Sequence, residues 1–173
     1  MIPFLPSYIP PDVDMNQVKA DVADGVSVPA ADAADVPALR QVVEQARKDG
    51  IDLKIVVIEH NPPIDTPLRD VATEVGKTYP DATVLAISPS FAGTYSTHFD
   101  RVTLEAGQDV AKTGDPVQSS KNFVSELTTE HFPWTPFTIV LVLAVIAALV
   151  VTRVLQVRGK RAAAAEAASD TAG

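Results

Sequence analysis

The chain has 173 residues, no cysteine, and 22 acids against 14 bases, for a net charge of −8. Disulfides and thiolate chemistry are therefore excluded, and the acidic balance argues against nucleic acid, whose phosphates need a basic face. About 130 residues precede a long apolar run near the C-terminus, which suits a single domain with its own core and one anchor.

The first segment, residues 1–34, reads as a proline-rich arm followed by a short helix. Pro3, Pro6, Pro10 and Pro11 prevent a regular helix or a central strand. Phe4, Tyr8 and Ile9 give the arm side chains that dock on its own domain or on a neighbour. Asp14 is placed to cap a helix over 15–24, with Val18 and Val22 on one face and Gly25 as the stop. Residues 27–34 read as a linker.

A folded domain is expected over residues 35–130. Asp35 as N-cap and Pro37 in the first turn open a helix over 36–49, which Gly50 ends. Leu39, Val42, Val43 and Ala46 form its apolar stripe, and Arg40, Glu44, Arg47 and Lys48 face water. Residues 51–58, IDLKIVVI, are a β-branched run suited to a strand covered on both faces. Glu59, His60, Asn61, Pro62 and Pro63 end it. Asp65 or Thr66, followed by Pro67, opens a helix over 68–79 that Pro80 stops, and ATVLAIS at 82–88 is a second strand. Strand, helix and strand with short links make a βαβ unit with parallel strands and a right-handed crossover. Residues 93–99, GTYSTHF, suit a third, edge strand, which residues 101–104 either continue after a bend or leave for a helical turn. Gly107 and Gly114 read as loop residues, and Asp115 with Pro116 caps a helix over 117–130 carrying Val117, Ser120, Phe123, Val124 and Leu127 on one side.

That helix leads through His131, Phe132 and Pro133 into a transmembrane helix, so that 131–157 is the span with its entry. Residues 132–152, FPWTPFTIVLVLAVIAALVVT, hold no charge and are apolar on every face, as lipid contact requires. Trp134 and Phe137 mark one membrane interface, Arg153 and Arg158 the other. With no ionisable group inside, the run does not read as a channel or proton path. Val140, Ala144, Ala147 and Ala148 set small side chains on one face, where a second helix could pack. Residues 158–173 read as a basic, then alanine-rich, disordered tail. The fold class is thus α/β, a small βαβ-containing domain of α/β/α layers followed by one C-terminal transmembrane helix.

Charge asymmetry orients the helix. Arg153, Arg158, Lys160 and Arg161 follow it, whereas Lys121 is the nearest base before it, which puts the tail in the cytoplasm and the domain outside a bacterial plasma membrane. The competing topology is a tail-anchored protein facing the cytoplasm, since residues 1–14 lack the basic and apolar regions of a signal peptide.

The chemistry on offer lies beyond the carboxyl ends of the strands: Glu59, His60 and Asn61 after the first, Ser88, Ser90 and Thr94 around the second. Glu59 and His60 are candidates for an acid/base pair or a metal site, although neighbours on a strand point to opposite faces; polar residues closing a strand before a proline turn explain them better. Phosphate-loop, dinucleotide and nucleophile-elbow motifs are missing. His60, His98 and His131 have no zinc spacing, and Asp100, Glu105, Asp109 and Asp115 do not follow an EF-hand loop. The expectation is no assigned catalytic, cofactor-binding or metal residue, with Glu59, His60, Ser88 and Ser90 as the strand-end candidates.

The order ALRQVVEQARKDG, IDLKIVVIEH, TPLRDVATEVGKTYP, ATVLAISPS resembles the TPM-type α/β domain of thylakoid-lumen and bacterial extracytoplasmic proteins. More specifically, residues 26–127 resemble a family of small, uncharacterised actinobacterial membrane proteins. The TPM resemblance implies a tethered domain that assists assembly or repair of membrane complexes, or one with phosphatase activity or calcium binding. The glycine-rich segment after the second strand is reduced here to Ala92 and Gly93, so no catalytic residue is carried over. The function expected is a non-catalytic accessory or assembly subunit of a larger complex, such as the actinobacterial respiratory supercomplex or cell-envelope machinery. Its partners would be the lipid bilayer and other membrane subunits, met through the span, the arm and the acidic domain. A membrane-tethered phosphatase and a ligand-binding sensor are the alternatives.

Overall fold

The computed structural model describes residues 8–129 and 134–170, the latter by backbone alone at 134, 135 and 162–170. Phe4, Pro3 and Pro6 of the arm, and the entry residues His131, Phe132 and Pro133, lie outside the described residues. The chain forms two compact units that divide after Thr129.

In the first unit, Asp14 caps α1 (Met15–Asp21) as expected, its carboxylate accepting from the amides of Asn16 and Gln17. A 3-10 turn (Val22–Asp24) follows and ends on Gly25, whose φ of 98° suits only glycine. Residues 27–34 do not form a linker. Val26–Ser27 is a short strand, β1, and Ala30–Asp35 is a 3-10 segment leading straight into α2 (Val36–Lys48). Asp35 is consequently already in helical geometry and makes no side-chain cap. The same holds for Asp65 before α3 (Thr66–Thr78). Two residues are too few to show a period in sequence; pairing with β2 (Leu53–Val57) is what makes β1 a strand.

β1, β2 and β3 (Thr83–Ile87) are parallel neighbours, and β4 (Ala92–Tyr95) closes the sheet antiparallel to β3, in the order β1-β2-β3-β4. The edge strand expected over 93–99 thus exists but ends at Tyr95. Asp100 then caps α4 (Arg101–Val110), so residues 101–104 open a helix. Gly107 is not in a loop; it sits inside α4, where a methyl group would meet the ring of Phe123 on α5 (Pro116–Thr128).

Every residue of β2 and β3 is buried, and alternation divides them between two cores. Leu53, Ile55, Val57, Leu85 and Ile87 pack with α2, α4 and α5, around Leu39, Val43 and Phe123. Val56, Val84 and Ala86 pack with α1 and α3, around Val22, Leu68, Val71 and Val75. The result is an α/β/α arrangement on an open four-stranded sheet. Lys54 is the polar exception on β2. Its ammonium lies 3.6 Å from Asp52 and over the Tyr79 ring at 5.1 Å, which offsets burial of the charge.

Topology also fixes where the sheet can open. β1 to β2 and β2 to β3 step in the same direction across the sheet, yet α2 and α3 lie on opposite faces. The two crossovers therefore have opposite hands, although the right-handed form is strongly preferred.

The second unit is one helix, α6 (Trp134–Asp170), of 37 residues. Within it Pro136–Arg161 is long and apolar enough to cross a membrane, with mean hydropathy 2.7. Residues 158–170, expected to be disordered, continue the helix, consistent with the high helix propensity of their alanines.

Candidate functional site

Because β1 leads to α2 on one face and β2 leads to α3 on the other, the chain diverges at the carboxyl ends of these two strands. Such a switch point leaves a crevice outside the sheet where ligands bind in open α/β folds. Here it is a cleft of about 230 Å³ between Ser27, Val28 and Pro29 after β1 and Glu59 and His60 after β2, walled by Asp12, Asp14, Gln17 and Asp21. A second cleft, of about 110 Å³, lies on the opposite side of the β2 end, between Asp32, Ser88, Asp115 and Ser119. Glu59 lines both.

The four strand-end candidates separate accordingly. His60 belongs to the first cleft, where its Nδ1 stands 3.9 Å from Asp12. Ser88 belongs to the second. Glu59 and His60 are both exposed and both line the first cleft. Ser88 and Ser90 are held by Asn61, itself one of the polar residues at the end of β2. Ser88 Oγ donates to Asn61 Oδ1 at 2.8 Å, the Ser90 amide donates to the same oxygen at 2.8 Å, and Asn61 Nδ2 donates to Ser90 Oγ at 3.0 Å. One carboxamide thus ties the loop after β2 to the turn after β3. Thr94 lies elsewhere: it pairs with Leu85 in mid-strand, and its hydroxyl donates to Gln108 Oε1 at 3.5 Å.

Electrostatics at this end of the sheet are one-sided. Asp32 has its carboxyl pushed above the usual aspartate range, first by burial and then by the negative charges of Asp35 and Glu59. Asp14 and Asp115 are occupied as helix caps, and Asp21 accepts from Ser27 Oγ at 3.4 Å. The four acids weighed as calcium ligands are dispersed instead. Asp100 and Asp115 cap α4 and α5, Glu105 pairs with Arg101 at 2.7 Å, and Asp109 pairs with Lys112 at 2.8 Å. Among the described residues no three His, Asp or Glu side chains converge as a metal group.

Sequence reasoning missed Asp12, Asp21 and Asp32 as cleft residues, because the crevice exists only once β1 is a strand. Of the interface residues, Trp134 begins α6, and Phe137, Arg153 and Arg158 are exposed along it.

Fold and site together define a membrane protein in which an acidic α/β domain with an open strand-end crevice precedes one apolar helix. The chain belongs to the family described as Membrane protein Rv1476, whose family model matches residues 8–166. It is 60% identical over 173 residues to Membrane protein Rv1476 of Mycobacterium tuberculosis (strain ATCC 25618 / H37Rv), covering 99% of this chain and 91% of that relative. No solved structure matches it.

Proposed function

We propose that this protein is a single-pass, membrane-anchored, non-catalytic accessory or assembly subunit whose acidic strand-end crevice docks a basic segment of a larger membrane complex. The observation that carries this reading is the composition of the crevice. Its one hydroxyl, that of Ser27, donates to Asp21, while Asp12, Asp14, Asp21 and Glu59 make one wall negative for a lysine or arginine of a partner. The wider charge agrees, since residues 1–129 carry 19 acids against 10 bases. The charge asymmetry of the span supports a domain outside the plasma membrane, where a TPM-like module would meet respiratory or cell-envelope machinery.

Crosslinking in the native membrane, followed by gentle detergent extraction, tests it. The wild-type chain is expected to co-purify with other membrane subunits, and D12N/E59Q to lose them while staying folded and inserted. A chain that always migrates alone refutes the reading. Protease cleavage at Lys112 or Lys121 in spheroplasts is expected for the outside topology, and protection there reverses it.

One observation favours a second reading, a tethered phosphatase. Asp32, whose carboxyl is pushed above the usual aspartate range by burial and neighbouring acids, shares the second cleft with Glu59, and a perturbed carboxyl in a cleft is a candidate for acid/base work. That reading requires the purified protein to hydrolyse a phosphate ester and to lose this on D32N; inactivity across metals and pH removes it.

A further inference from the structure

The four cations Arg153, Arg158, Lys160 and Arg161 leave the apolar run within nine residues, and all four are exposed. Six of the ten lysines and arginines of the domain have carboxylate partners: Lys19, Arg40, Lys54, Lys77, Arg101 and Lys112. The four beyond the span have none among the described residues. Toward the domain the helix has no counterpart, since no lysine or arginine lies between 122 and 152.

Depth and direction give this collar a ligand. The uncharged residues 136–152 span about 25 Å as helix, slightly less than a hydrocarbon core of about 30 Å, so Arg153 emerges at the boundary. From Arg153 to Arg161 the helix rises about 12 Å, which is headgroup depth. At about 100° per residue the four side chains fall within a sector of about 160°, with Leu155, Gln156 and Gly159 on the remaining face. We infer that this one-sided collar binds the phosphates of anionic phospholipids, selecting them from the bilayer around the helix. Three guanidinium groups give forked donors matched to phosphate oxygens, and Lys160 adds a point charge. The inference is independent of what the crevice docks.

The test uses the full chain in nanodiscs of equal parts phosphatidylglycerol and phosphatidylcholine, with native mass spectrometry reading the lipids that remain bound. Wild type is expected to retain the anionic lipid in about twofold excess or more, and R153Q/R158Q/K160Q/R161Q to retain both lipids equally. R153K/R158K/R161K, which keeps the charge, and K112Q/K121Q, which removes cations only from the domain, are expected to keep the excess. Should the glutamine variant fail to insert, the wild-type protein decides alone: its excess is expected to disappear at about 1 M salt. Equal retention by wild type, an excess that survives the glutamine substitutions or the salt, or displacement by millimolar inorganic phosphate overturns the inference.

Discussion

Replacing Asn61 with alanine should loosen the tie between the loop after β2 and the turn after β3 by a predictable amount. The carboxamide makes three hydrogen bonds, of which the one from Ser88 is the most shielded, Ser88 being only 8% exposed. Leaving that hydroxyl without its acceptor costs about 1–3 kcal/mol, and the two bonds to exposed Ser90 add less. An overall loss of about 2 kcal/mol lowers Tm by about 8 °C in a domain of this size. Ser88→Ala removes the donor itself and should cost about 1 kcal/mol, and the double variant should cost no more than Asn61→Ala, a coupling of about 1 kcal/mol. Thermal unfolding in mild detergent reads this best through the near-ultraviolet signal of Tyr79 and Tyr95. The single tryptophan of the sequence, Trp134, belongs to α6. A Tm change below about 2 °C, or additive effects of the two substitutions, would show that Asn61 does not hold the ends of β2 and β3 together.

Gly93→Ala would drive a methyl group into the backbone of Leu68 and Arg69 where β4 crosses α3, and should cost about 3 kcal/mol in urea unfolding because backbone cannot step aside cheaply. Asp32→Asn should raise Tm at neutral pH. The folded-state pKa of Asp32 lies above its unfolded value, so stability falls as pH rises through that window; below the usual aspartate range the variant and wild type should unfold together, as Tm measured against pH would show. Leu143→Arg places a charge near the middle of the uncharged run and should raise the cost of insertion by about 2.5–3.5 kcal/mol, read as a larger carbonate-extractable fraction.

Elements whose signals are local can be read from the chain alone. Residues 136–152 are uncharged and apolar apart from Thr138 and Thr152, β2 and β3 are β-branched or apolar apart from Lys54, and Asp14 and Asp115 cap the helices they precede, so each could be read without a distant partner. Membership of a membrane-protein family agrees with the first of these. The remaining features depend on residues far apart in the chain. Val26 and Ser27 become a strand because Ile55 and Val56 lie alongside, and Asp35 loses its capping role because a 3-10 turn has already begun the helix. Placing α2 and α3 on opposite faces opens the crevice between β1 and β2, and the reach of Asn61 to Ser88 and Ser90 crosses 27 and 29 residues. A strand-end residue shows its type in the sequence, but the groups it meets are set by which strands are neighbours and which way their connections turn. Glu59 and His60 illustrate this: both line the first cleft, but Glu59 also borders the second, whereas His60 stands beside Asp12.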